Sequence, residues 1–426
     1  MRRVALLIGF YWRRFRVYGM KGVRTFLLCR KRSFFIRRFF IRSAQRFVAQ
    51  TPERGLTLVG NLTCGFSISK TFRDLAHALK KAGIPFQALD MCQFLAGMSM
   101  VAIDDVKGLL TPREEFNVNR YSHIVTLSEN PIPRAAIGNK KVSRLIFWEA
   151  DSGLQEANPD WFRGDDIVGM SDFNVDYFRT VMPKGVKVSK MLYPFRFDCG
   201  RLDDAAAVRA RYGIGRDEFV VFFNFDFCTS VYRKNPFDVV RAFAKAFSQN
   251  DRVRLFFKTN RAQYNPEGAK QLADLIHDLG IDDQVSSANE YLSQRELYSL
   301  TNACDVYISL HRAEGFGLGI AEAMSMGKPV IVTGWSANTE FCKPDNSILI
   351  PYELKRPAGG SRGDSLNNNS VTRWAEPDVD AAAVALRRLY QDREERLRVG
   401  ERARTFMREH FSSENFKRSI VDFLST

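Results

Sequence analysis

From residue 56 onward, short apolar runs alternate with stretches whose apolar positions recur at helical spacing. Residues 56–60 (LTLVG) form an apolar run closed by glycine. Over 71–82, Phe72, Leu75, Ala76 and Leu79 share one face, Gly83 ends it, and 84–89 is the next apolar run. This spacing predicts a β-α-β unit, the start of a parallel sheet. Residues 123–127 and 144–148 predict further buried strands, and 166–178 (DIVGMSDFNVDYF) predicts strand, turn and helix.

A second series opens on 218–225 (EFVVFFNF), a strongly apolar strand. Helices over 237–248, 267–279 and 295–303 then alternate with strands over 254–258, 284–287 and 306–310. Such alternation predicts an α/β protein with two Rossmann-like domains, at 55–195 and 196–395, and closing helices over 396–426 that return to the first. Residues 354–373, rich in Gly, Ser and Asn, predict a mobile loop.

The densest chemistry lies at 311–341 (HRAEGFGLGIAEAMSMGKPVIVTGWSANTEF). Glu314 and Glu322 stand eight positions apart, with the turn Gly315-Phe316-Gly317-Leu318-Gly319 between them. The order reads loop, helix, buried strand. Free amides and the positive dipole end at such a helix start suit a phosphate or diphosphate. Glycines let the backbone approach the anion. Glu322, four residues beyond Leu318, lies about 6 Å along the helix, within reach of ribose hydroxyls. Glu314, in the loop before the turn, faces the other side of the phosphates, where a sugar would hang.

The E-x7-E spacing, the F-G-L turn and the following A-M-x-x-G-K-P-V resemble the nucleotide-sugar site of family 4 retaining glycosyltransferases, which have the GT-B fold: two Rossmann-like domains with a cleft between them. The resemblance covers about residues 55–426 and implies that Phe316, Gly317, Leu318 and Glu322 bind the donor nucleotide. The R-K-N-P tract, Arg233 to Pro236, resembles the family tract whose lysine contacts the donor diphosphate, so Lys234 carries over. Where many members place an arginine after the preceding strand, this chain has Asp226; Arg233 either replaces that contact or is a solvated residue at a helix start. The stretch over 146–161 (IFWEADSGLQEANPDW) resembles a subgroup with a W-E-L tract and implies that Glu149 lies near the transferred sugar; a structural carboxylate paired with an arginine is the other reading. Residues 65–69 correspond to a loop that shapes the acceptor or sugar pocket in the family, although Ser67 and Ser69 stand where glycines are usual. Relatives also set the nucleotide base against the backbone near 289–292.

Composition changes the picture at one end only. The net charge is +15, and residues 1–54 hold fifteen Lys or Arg against Glu53 alone, which leaves the remainder at +1. That near-neutral body argues against a nucleic-acid groove. Arginines interleaved with Phe, Trp and Leu predict an amphipathic helical arm on an anionic membrane surface. A folded appendage packing its aromatics on the body, RNA binding, and a targeting sequence are the competing readings. The longest uncharged run, 4–12, is far short of the ~20 residues that span a bilayer. Seven scattered cysteines without a C-x-x-C predict reduced thiols, not disulfides or zinc ligands.

The resemblance implies a retaining, metal-independent hexosyltransferase that uses a GDP- or UDP-linked sugar as substrate and needs no cofactor. Glu314, Lys234 and Glu149 would be its catalytic residues. Its acceptor would be a glycan or a lipid-linked sugar, as in O-antigen-like cell-surface glycan assembly. It would work in the cytoplasm, peripherally on the inner face of the membrane. A GT-B synthase acting on a small phosphorylated sugar and a non-enzymatic GT-B scaffold at the membrane are the alternatives. Asp378-Val-Asp380 is the one D-x-D tract, and it starts a surface helix by its pattern.

Overall fold

The computed structural model describes residues 34–47, 52–64, 67–94, 106, 108–126, 132, 134–138, 140–150, 166–197, 200–356 and 373–425. It contains two parallel six-stranded sheets. By internal packing the chain divides into two compact units, 1–145 and 146–426.

In the first unit, β1 (Glu53–Gly60) pairs in parallel with β2 (Phe86–Asp90) and β3 (Tyr121–Thr126), and β3 with β4 (Lys141–Leu145). Helix Ser67–Ala82 connects β1 to β2 and buries Phe72, Leu75, Ala76 and Leu79, the face read from its periodicity. The basic arm does not stay apart from this unit. Residues 34–46 form a helix whose Ile36 and Phe40 enter the core with Val59, Leu89, Phe116 and Ile124. The Ser43 hydroxyl donates to the Phe116 carbonyl at 2.9 Å and accepts from the Val118 amide at 3.1 Å. Phe34 and Phe35 are turned to solvent, 59% and 52% exposed, as are Arg37 and Arg38 of the same helix. Residues 1–33 and 48–51 of the proposed membrane arm lie outside the described residues. Phe40→Ala should therefore destabilise the first unit by about 3–5 kcal/mol in urea unfolding, whereas Phe34→Ala should leave its midpoint almost unchanged.

One expectation is overturned here. Cys64 and Cys92 form a disulfide. They are 28 residues apart, but Cys64 follows the end of β1 and Cys92 the end of β2, whose last residues, Gly60 and Asp90, are register partners. Parallel pairing brings the two loops together, which spacing alone could not show. Cys304 and Cys342 are free and buried, and Cys228 is free and exposed.

In the second unit, β5 (Asp166–Gly169) pairs with β6 (Val188–Lys190), joined through helix Asp172–Val181. The second sheet is built from β7 (Phe219–Asp226), β8 (Val253–Asn260), β9 (Val285–Asn289), β10 (Val306–Ser309), β11 (Val330–Thr333) and β12 (Ile348–Ile350). Both of its faces are covered, so β7 reads as a nearly continuous apolar run. The chain builds β7, β8 and β9 outward on one side, then returns to β10 beside β7. Open parallel sheets bind ligands at the carboxyl ends of the strands where the order reverses, which here is between β7 and β10. Leu354 and Lys355, the first residues of the loop expected over 354–373, instead end β13 (Tyr352–Lys355), antiparallel to β14 (Trp374–Pro377); residues 357–372 lie outside the described residues. Helix Arg393–His410 is the first of the closing helices expected over 396–426; it is charged almost throughout and buries only Val399, Gly400, Ala403 and Met407. The last helix, Ser413–Ser425, receives the Leu192 amide on its Ser419 hydroxyl at 3.0 Å.

Candidate active site at the carboxyl ends of β7 and β10

The segment after β7 is built to fix Lys234. Ser230 caps a one-turn helix, Val231–Lys234, by accepting from the Arg233 amide. Asn235 then turns the chain at φ +56°, a left-handed conformation that asparagine tolerates. Its side chain caps helix Pro236–Ala246 and donates to the Leu310 carbonyl at 2.7 Å. The Arg312 amide donates to the Arg233 carbonyl at 2.8 Å. These bonds tie the loop after β7 to the loop after β10.

Four predicted residues converge there. Lys234 forms an ion pair with Glu314. The Arg233 guanidinium lies 3.1 Å from a Glu149 oxygen and 3.7 Å from Glu314, and donates to the Ala313 carbonyl at 2.8 Å. Of the two readings for Arg233, the solvated one is excluded, since it is 5% exposed. Burial alone pushes the Glu314 carboxyl up, but the charges of Lys234 and Arg233 outweigh it and hold its pKa at about 2. Glu314 is therefore a carboxylate throughout the neutral range. Glu149 follows β4 by four residues instead of ending a strand, and its placement comes from the loop over 146–150. Residues 151–165 lie outside the described residues, as do Gly65 and Phe66 of the proposed acceptor loop.

The glycine turn behaves as read. Gly317 stands at φ +88° as the start of helix Leu318–Ser325, with no side chain capping the helix. A Cβ at Gly319 would meet the Tyr307 hydroxyl at 2.6 Å and Asn224 Oδ1 at 2.8 Å, so the helix start leans directly on β7 and β10. Glu322 is buried one turn along and accepts from Gln294 Nε2 at 3.3 Å and the Tyr298 hydroxyl at 3.2 Å. The Phe316 ring packs inward, stacked on Tyr193 at 4.7 Å and against Phe341 at 5.2 Å.

Three parts of the site escaped the sequence reading. Ser336 sits at φ +82°, ψ −164°, a conformation that costs a non-glycine residue about 1–3 kcal/mol. Its hydroxyl accepts from the Glu314 amide at 2.7 Å and donates to the Glu314 carbonyl, so it fixes the loop that carries the carboxylate. The T-G-W-S-A-N run hinted at a special turn but not at this bond. His311 is fully buried, accepts at Nδ1 from Ser309, and faces the Trp335 carbonyl and Asn338 Oδ1 with Nε2. The two acceptors require a proton on Nε2, and burial lowers the ring's pKa, which favours the neutral form. Asp226, in the place of the expected arginine, holds Arg261 through two guanidinium nitrogens at 2.6 to 3.1 Å. Asp378 caps helix Val379–Gln391 and Asp380 pairs with Lys245, so that tract is structural. No group of three or more metal-ligating side chains occurs among the described residues.

Two parallel six-stranded Rossmann-like sheets with the site at the β7–β10 reversal define the GT-B fold. The fold is shared with solved structures that include the HepE protein of Anabaena in complex with UDP and glucose (TM-score 0.59, 14% identity, 88% of this chain and 100% of that one). It is shared also with sucrose-phosphate synthase of Thermosynechococcus elongatus (TM-score 0.61, 16% identity, 88% and 98%). Residues 227–352, which include Arg233, Lys234, Glu314, the glycine turn and Glu322, match the family model of glycosyl transferases group 1. A trehalose synthase of Pyrococcus horikoshii is 32% identical over 109 residues, 24% of this chain, and the chain spans only 26% of that relative's length.

Proposed function

We propose that this protein is a retaining, family 4 glycosyltransferase that moves a hexose from a UDP- or GDP-linked sugar to a glycan or lipid-linked acceptor. The observation that carries the reading is the buried, ionised Glu314 held between Lys234 and Arg233 beside the uncapped start of helix Leu318–Ser325. A donor diphosphate at that helix start would meet main-chain amides and Lys234. Cationic and dipolar groups aimed at a leaving group act most strongly as its charge develops. Glu314 orients the transferred sugar, with Glu149 behind Arg233, and Glu322 receives the ribose hydroxyls. The bond from the sugar's anomeric carbon to the diphosphate breaks while the acceptor hydroxyl attacks from the same face, and its proton passes to the leaving phosphate oxygen. Amides and cations neutralise the diphosphate, so this route needs no metal.

The UDP and glucose named for the HepE protein support a nucleoside diphosphate donor. The test is hydrolysis and transfer with GDP-mannose, UDP-glucose, UDP-galactose, UDP-N-acetylglucosamine and dTDP-rhamnose, with the product anomer read by NMR. Turnover of none of them, or inversion at the anomeric carbon, would overturn the reading. Glu322→Ala should weaken binding of the cognate nucleoside diphosphate about ten- to a hundredfold in calorimetry, the range for lost hydrogen bonds to a charged group. The corresponding 2′,3′-dideoxynucleotide should bind both proteins alike. Peripheral attachment to an anionic membrane through residues 1–54 belongs to the same proposal. Among the described residues no helix is long and apolar enough to cross a membrane.

A further inference from the structure

Lys258 lies near the end of β8, an interior strand, and is 5% exposed. Its register partner on β7 is Asn224. Adjacent strands lie about 4.8 Å apart, and the Asn224 side chain touches the space where Gly319 starts its helix. Lys258 and Asn260 alternate onto the same face, and the ammonium donates to Asn260 Oδ1 at 2.8 Å, toward the carboxyl edge of the sheet. Lys258 thus stands on the face and at the edge that carry the donor site, one strand from it.

Its charge has no counter-ion in contact among the described residues. Asp226 on β7 is taken up by Arg261, and Glu290, beyond β9, receives the Tyr212 hydroxyl at 3.2 Å. A buried ammonium with one neutral partner is costly unless something anionic completes it. A structural lysine in an apolar strand would be better served by an apolar residue.

We infer that Lys258 is a further donor-binding residue, which delivers a cation from β8 to the diphosphate held at the start of helix Leu318–Ser325. This rests on the proposed function.

Burial draws the Lys258 pKa down to about 8, although Asp226 and Glu290 pull the other way. The groups facing it are Arg261, Asp226, Glu290 and Tyr212, and burial beside Glu290 pushes the Tyr212 hydroxyl up to about 12. The Cys228 thiol near Asp226 and Arg261 is raised and stays neutral. A nucleoside diphosphate keeps its charge above about pH 6. Binding should therefore weaken as pH rises from 7 to 9, as Lys258 loses its proton.

The experiment is calorimetry of the full chain with UDP, GDP, UMP and uridine at pH 7 and 9. Lys258→Met should weaken the cognate diphosphate about tenfold or more, the scale of a charge-assisted hydrogen bond. It should flatten the pH dependence and leave the nucleoside unaffected, and Lys258→Arg should keep affinity at pH 9. Equal loss for nucleoside and diphosphate overturns the assignment in favour of a base contact. Unchanged diphosphate affinity in Lys258→Met overturns it altogether. A wild-type protein that binds no nucleotide at either pH refutes the proposed function itself, a result these variants cannot mimic. Should Lys258→Met fail to fold, a pH-independent wild-type affinity between 7 and 9 overturns the inference alone.

Discussion

Lys234→Met should lower kcat on the cognate donor about a hundred- to a thousandfold, the cost of removing one group that stabilises developing charge. KM should change far less. In the resting site the ammonium is paired with Glu314, so a bound diphosphate shares an interaction that already exists. As the sugar leaves, charge grows on the diphosphate and the ammonium counts for more, which is why the loss falls on kcat. Methionine keeps the length of the stem and removes only the charge. The buried Glu314 would then retain Arg233 at 3.7 Å, and its pKa should rise from about 2. The sign follows from linkage: a carboxyl depressed in the fold contributes stability that is full above its unfolded pKa of about 4.3 and is lost as pH falls through the folded value. Lys234→Met should therefore also flatten the acid limb of stability between pH 5 and pH 2. A variant with wild-type kcat would remove Lys234 from the reaction.

The legible part of this site was the part written in one stretch of chain. Glu314, the glycine turn and Glu322 share a loop and a helix, so their spacing carries their geometry. Lys234 was readable because the R-K-N-P tract that carries its resemblance is contiguous, and Asn235 and Pro236 of that tract shape the turn beside it. The alternation of strands and helices conveyed the two sheets for the same reason. What stayed hidden was held across the sheet. The Asp226–Arg261 pair joins two strand ends 35 residues apart, and Lys258 acquires its meaning only from the register with Asn224. The disulfide between Cys64 and Cys92 depends likewise on which loops two parallel strands bring together. Ser336 was hidden for a different reason: a positive φ at a serine leaves no compositional mark, unlike one at glycine.

Removing residues 1–33 should strip most of the salt-sensitive binding to anionic vesicles and leave donor hydrolysis intact. Those residues hold ten Lys or Arg and no acid, and each basic group near an anionic surface is worth about 1 kcal/mol. The proposed donor contacts lie at Glu149 and beyond residue 223, far along the chain from the cut. A cut at residue 54 should behave differently. It also removes the helix over 34–46, and with it Ile36, Phe40 and the Ser43 bonds to Phe116 and Val118. The first unit should then lose stability, seen as a lower unfolding midpoint and a gain in dye binding to exposed apolar surface. That pair of results would make the membrane and packing readings of the arm complementary. Binding of the full chain should weaken as salt rises, because surface attraction decays over about 10 Å at 0.1 M salt. Phe34 and Phe35, exposed beside Arg37 and Arg38, should leave a salt-resistant remainder that Phe34→Ala with Phe35→Ala reduces. Full-length protein that ignores vesicles rich in anionic lipid at low salt would end the membrane reading and leave the helix as a structural element of the first unit.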